Sequence, residues 1–140
     1  MRKIDEYRPI VGDEVIDELY ILAEKLKGIT IQNINSTSFG GGVAEILSRI
    51  IPLMQDLGLD VFWDVIEGDE KFFDITKKIH NGLHGLKVDL SREELNYFLE
   101  VNERNAQSIG RWGDIVFIHD PQPIALIKKK RKLKSKWIWR

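Results

Sequence analysis

Cysteine is absent from the 140 residues, so the chain can form neither a disulfide nor a thiolate metal site. That absence fits a reducing compartment, and a cytoplasmic location is expected. No apolar run approaches the roughly 18 residues of a membrane span. The opening Met1-Arg-Lys-Ile-Asp-Glu6 lacks the apolar core of a secretory signal. No membrane partner is expected. The chain also lacks internal repeats, low-complexity tracts and any Gly/Ser-rich linker, and its length suits one domain with a sizeable core.

What is present is globular in character. Hydrophobic residues make up 43% of the chain, and four Trp and six Phe supply enough apolar area to offset the entropy of ordering. The net charge of −1 hides an asymmetry. Residues 128–140 carry eight basic side chains and no acid, leaving 13 basic against 22 acidic groups, a net of −9, in residues 1–127. A basic cluster suits a polyanion. The acidic body opposes one, and cations at a helix end also complement its dipole. No nucleic-acid partner is expected.

Residues 1–12 show no period and read as an irregular arm. From Asp13, the stripe Val15, Leu19, Leu22 and Leu26 predicts a helix that Gly28 ends. Ile29–Ile34 reads as a β-branched strand, and Asn35–Gly42 as a loop. A second helix follows on Val43, Ile46, Leu47, Ile50, Met54 and Leu57, with Pro52 expected to kink it or weaken one turn. Asp60–Ile66 reads as a strand, and Phe72 to Leu83 as a helix. Ser91-Arg-Glu-Glu94 is a capping box opening another helix through Ile109. Asp114–His119 is the clearest strand. Asp120-Pro-Gln-Pro123 breaks it, a short helix runs to about Lys130, and Lys136–Arg140 reads as a strand in which the chain stops. Strands alternating with helices predict an α/β fold, a Rossmann-like parallel sheet with helices on both faces.

Two strand ends carry chemistry. At the first, Gly40-Gly41-Gly42 leads into a helix, where free N–H groups and the helix dipole suit a phosphate or a sugar hydroxyl. The spacing matches neither GxGxxG nor a Walker A motif, Glu45 opposes an anion, and a plain flexible loop fits equally well. At the second, His119 and Asp120 lie where open α/β sheets bind ligands. They suit contact with substrate or charge stabilisation, or else a helix cap and an edge histidine. His80-Asn81 near a helix end is a weaker candidate. The three histidines lack metal-ligand spacing, so no metal is expected, and no motif calls for a cofactor.

Several segments occur together: Asn35-Ser-Thr-Ser-Phe-Gly-Gly-Gly-Val-Ala-Glu-Ile-Leu47, Val65-Ile-Glu-Gly68, Phe73-Asp-Ile-Thr-Lys-Lys-Ile-His-Asn81, Leu99-Glu-Val-Asn-Glu-Arg-Asn105, His119-Asp-Pro-Gln-Pro123 and Trp137-Ile-Trp-Arg140. In this order they resemble the N-terminal part of archaeal and bacterial trehalose synthases of the glycosyltransferring type. Those are retaining glycosyltransferases with two facing Rossmann-like domains. The resemblance implies a residue 13–140 acceptor-side domain, the N-terminal half of a GT-B enzyme cut within a strand. It implies nucleoside-diphosphate glucose and glucose as substrates, and a missing C-terminal domain that grips the nucleotide. The cleft left open would then be available to a second copy, as a homo-oligomer. Residue by residue, it implies that Gly40, Gly41 and Gly42 approach the donor, and that His119 and Asp120 sit beside the reacting glucose. Gln122 would shape that pocket, and His80 and Asn81 would face the cleft. Two other readings stay open: a stand-alone sugar or nucleotide-sugar binding domain, and a polyanion-binding module using residues 128–136.

Overall fold

The computed structural model describes residues 3–140. Four strands form one parallel sheet, β1 (Thr30–Asn35), β2 (Asp60–Val65), β3 (Ile115–Ile118) and β4 (Lys136–Trp139), in the order β2-β1-β3-β4. Ile31 is aligned with Val61 on one side and Ile115 on the other, and Val116 with Trp137. The three expected strands are therefore parallel and adjacent.

The connections decide which helix covers which face. From β1 the chain moves outward to β2 through α3 (Gly42–Asp56). It then returns across β1 to β3 through α4 (Glu70–Leu83) and α5 (Arg92–Ser108). Right-handed crossovers running in opposite directions place their helices on opposite faces. Leu47 and Ile51 of α3 accordingly pack on Ile31 and Val61. On the other face Phe72, Ile75, Phe98 and Val101 cover Ile34, Val116 and Ile118, with the Phe72 and Phe98 rings stacked at 6.0 Å. The capping box forms as expected: Ser91 Oγ accepts from Glu94 N–H at 3.1 Å, and Glu94 Oε2 accepts from Ser91 N–H at 2.9 Å.

Three expectations change in detail. The arm is helical, with a 3-10 turn at Ile4–Tyr7 leading into α1 (Arg8–Val11), while residues 1 and 2 of that arm lie outside the described residues. Pro9 opens α1, where its missing N–H costs nothing. Arg8 ties the arm to α2 (Asp13–Lys25) through Asp17 at 2.8 Å and to its own turn through Asp5 at 2.9 Å. Second, α3 stays helical through Pro52, whose missing N–H removes one bond of that turn. Third, the segment after the prolines is a 3-10 helix, Ile124–Lys132, which buries Leu126 against α5 while Lys129 pairs with Glu103 at 3.1 Å. Among the described residues no helix is long and apolar enough to cross a membrane.

Candidate functional site

Neighbouring strands β1 and β3 are the point where the crossovers reverse direction. The loops leaving their carboxyl ends diverge there, and a crevice opens between them. One loop carries Gly40–Gly42 and the other His119–Asp120. The crevice is a 390 Å³ depression lined by Asn35, Thr37, Gly40, Gly41, Gly42, Val43, Ala44, Ile46 and Asp120. The glycines and Asp120, 78 residues apart at the nearest, thus share one site.

One wall donates hydrogen bonds. The first intrahelical bond of α3 runs from Glu45 N–H to the Gly41 carbonyl at 3.2 Å, so the amides of Gly42, Val43 and Ala44 have no partner inside the helix. Glu45 is exposed and does not line the depression, so the opposition it was expected to offer falls outside it. The glycines are not equivalent. Gly41 has φ 88° and ψ 154°, a region essentially closed to side chains, whereas Gly42 is an ordinary helical residue. A Cβ at either position would meet no atom within 4 Å, so backbone conformation alone separates them. Gly41→Ala is expected to cost about 1–3 kcal/mol. Gly42→Ala is expected to be neutral or to stabilise by a few tenths. Urea unfolding midpoints of the two variants check this.

The opposite wall carries a carboxylate. Asp120 has φ 67° and is the one non-glycine residue with positive φ among the described residues. It does not cap the following helix, whose N-cap is Pro123. Its backbone is fixed instead: its N–H donates to the Arg140 carbonyl at 2.9 Å, and its carbonyl accepts from the Trp139 indole N–H at 3.0 Å. The carboxylate itself has no hydrogen-bond partner among the described residues, and half-buried Asp120 faces the depression.

His119 lies beneath, 3% exposed, with Nε2 3.0 Å from Asn33 Oδ1. With Nε2 donating to that oxygen, Nδ1 is an acceptor, and it is buried without a partner. Burial, reinforced by the charge of Arg140 and opposed by Asp120, holds the His119 pKa below its ordinary value. Near neutrality the ring is uncharged, and it does not line the depression, so it supplies no cationic contact there. The unfolded chain takes up this proton near pH 6.5, while the folded chain resists it. Stability is therefore complete above about pH 6.5 and falls as the pH drops toward the folded pKa. Denaturant titrations at pH 7.5 and 5.5 are expected to show this loss, and to show less of it in His119→Gln.

Gln122, His80 and Asn81 are not brought to the depression. Gln122 turns inward: its carbonyl accepts from Asn102 Nδ2 at 3.1 Å, and its own Oε1 is buried without a partner. His80 and Asn81 lie at the far end of α4, about 15 Å of helix beyond its start at the carboxyl edge of the sheet. There the His80 ring lies 4.2 Å from that of His84, centroid to centroid, tilted by 36°.

The sequence reading missed the buried amides of β1. Asn35, 1% exposed, accepts from Trp63 Nε1 at 2.8 Å and donates to the Thr37 carbonyl at 2.7 Å, so it anchors the start of the glycine loop. The signal was available. Ile31, Asn33 and Asn35 alternate onto one face, and an asparagine on an inward face requires partners. Among the described residues no group of three His, Cys, Asp or Glu side chains could hold a metal ion.

A family model described as the N-terminal domain of trehalose synthase matches residues 33–140, a stretch that contains both walls of the depression. The chain belongs to that family. It is 47% identical to the trehalose synthase of Thermococcus litoralis over 99% of its own length, and 43% identical to that of Rubrobacter xylanophilus over the same share. It is also 33% identical to the trehalose phosphorylase of Grifola frondosa over 94% of its length. The chain spans about a third of the trehalose synthases it matches, with 34% of the Thermococcus protein and 35% of the Rubrobacter protein covered. In this trehalose synthase domain, then, the glycine loop and Asp120 fall within the region that defines the family.

Proposed function

We propose that this chain is the acceptor-side half of a two-domain glucosyltransferase. The enzyme would join glucose from a nucleoside-diphosphate glucose to free glucose, giving trehalose with retention at the donor anomeric carbon. The observation that carries the reading is the depression at the β1/β3 switch point, with unpaired amides on one wall and a free carboxylate on the other. Amides without a cation suit a phosphate oxygen that is also held elsewhere, or a sugar hydroxyl. The carboxylate suits a hydroxyl donor, or the positive charge that grows on a glucosyl ring as its leaving group departs.

In this reading Gly40–Gly42 and the α3 amides orient the donor. Asp120 lies against the glucosyl ring, and neutral His119, buried beneath it and hydrogen-bonded to Asn33, supports the turn without lining the depression. The depression contains no Lys or Arg among its lining residues. Neutralising the diphosphate is therefore the task of a second, C-terminal domain closing over this one. Departure of the phosphate on the face the acceptor enters would need positioning and charge stabilisation, and no protein nucleophile.

The 33% identity to a trehalose phosphorylase favours a second reading, in which inorganic phosphate and trehalose are the reactants. One assay separates the two. The natural full-length polypeptide is incubated with UDP- or ADP-glucose plus glucose, and separately with trehalose plus phosphate. Trehalose formed in the first mixture supports glucosyl transfer from a nucleotide. Hexose phosphate formed only in the second supports phosphorolysis.

A further inference from the structure

We propose that Trp139 is a positioning residue: its indole N–H holds the left-handed Asp120 turn that presents the carboxylate to the β1/β3 depression. This rests on the glucosyltransferase reading of the site. A residue with a Cβ does not adopt positive φ unless its surroundings impose it. At Asp120 the imposing contacts come from the end of β4. Arg140 N–H donates to the Ile118 carbonyl and Asp120 N–H to the Arg140 carbonyl, both at 2.9 Å, so β4 continues its ladder alongside the turn. Those bonds fix the N–H side of Asp120. Its carbonyl side is fixed by one side chain, Trp139, through Nε1 at 3.0 Å.

The placement of Trp139 separates this role from packing. Trp137 and Trp139 are two residues apart on one face of β4. Trp137 packs into the hydrophobic core, whereas Trp139 remains 51% exposed and belongs to neither core cluster. A ring half in solvent still buries roughly 100 Å², but outside both core clusters. Its specific contact is the polar one, to the residue that lines the depression.

The test uses the natural full-length polypeptide. Trp139→Phe removes the donor and keeps a ring, and β-(3-benzothienyl)alanine at position 139 replaces only the N–H with sulfur should the phenylalanine variant fail to fold. The expected result is a fall of about tenfold in kcat for glucosyl transfer, with donor and acceptor KM changed less than twofold. Amide exchange should also rise at least tenfold in the peptide containing Asp120, while β1 and β2 remain protected. In the Asp120→Ala background the same replacement should lower kcat no further, because Trp139 acts through Asp120. Unchanged kcat and unchanged exchange at Asp120 in either variant would overturn the proposal, as would full additivity with Asp120→Ala. Absence of transfer by the wild type would remove the glucosyltransferase reading instead. Hydrogen exchange then decides on its own whether Trp139 holds the turn.

Discussion

Asp120→Ala in the full-length protein is expected to lower glucosyl transfer a hundredfold or more, with the fold retained. A hundredfold corresponds to about 2.7 kcal/mol of lost transition-state stabilisation. That figure is reasonable for one preorganised charged group in a water-poor site. Asp120 suits the role because its backbone groups are both engaged, by Arg140 and Trp139, while its carboxylate has no hydrogen-bond partner among the described residues and the residue lines the crevice. Alanine removes the charge and also sits poorly at φ 67°, so the variant by itself mixes two causes. Asp120→Asn separates them. Asparagine tolerates the left-handed region and keeps a hydrogen-bonding group, but carries no charge. A comparable loss in both variants assigns the effect to the carboxylate charge. Near-wild-type turnover by the alanine variant would mean that the chemistry lies elsewhere on the rim. The same result in the asparagine variant alone would mean that position 120 acts through a hydrogen bond and not a charge.

The 140-residue chain on its own is expected to form no detectable trehalose from UDP- or ADP-glucose plus glucose, and to bind the donor no better than millimolar. A nucleoside-diphosphate sugar carries about two negative charges, and each charge-assisted contact to them is worth roughly 1.5–3 kcal/mol. The depression offers amide donors, no cationic side chain, and a carboxylate that opposes an anion. His119 does not compensate, because burial keeps it neutral. Going without two cationic contacts corresponds to a hundredfold or more in affinity. Enclosure between two domains, which expels water and aligns acceptor with donor, would be missing as well. Calorimetric titration with the donor and product analysis at matched protein concentration test both parts. Micromolar binding or steady turnover by this chain would show that the domain holds a complete site.

The elements were legible where local chemistry dominates. Ser91 and Glu94 satisfy each other's backbone wherever that helix packs, and β-branched runs such as Ile115–Ile118 have few alternatives to a strand. The arm was misread because its helix has no apolar stripe. It is held by Pro9 at its start and by Arg8 reaching Asp17 nine residues on, a contact that no periodicity records. His80 and Asn81 were placed with the site through the resemblance of their segment. The direction of α4 carries them away from the crevice, and only the helix's path in space reveals that.

The sequence by itself determined the α/β class, the parallel order of events along the chain and the two strand ends that carry glycines and Asp120. These follow from apolar spacing, capping and turn residues, all of which act over a few positions. The tertiary structure decided the rest: that the two strand ends are neighbours, that His119 is buried and neutral, and that Asp120 is held left-handed by Trp139 and Arg140. Each of these depends on strand pairing between segments far apart in the chain. Pairing of that kind sets burial, and burial sets the charge of the imidazole.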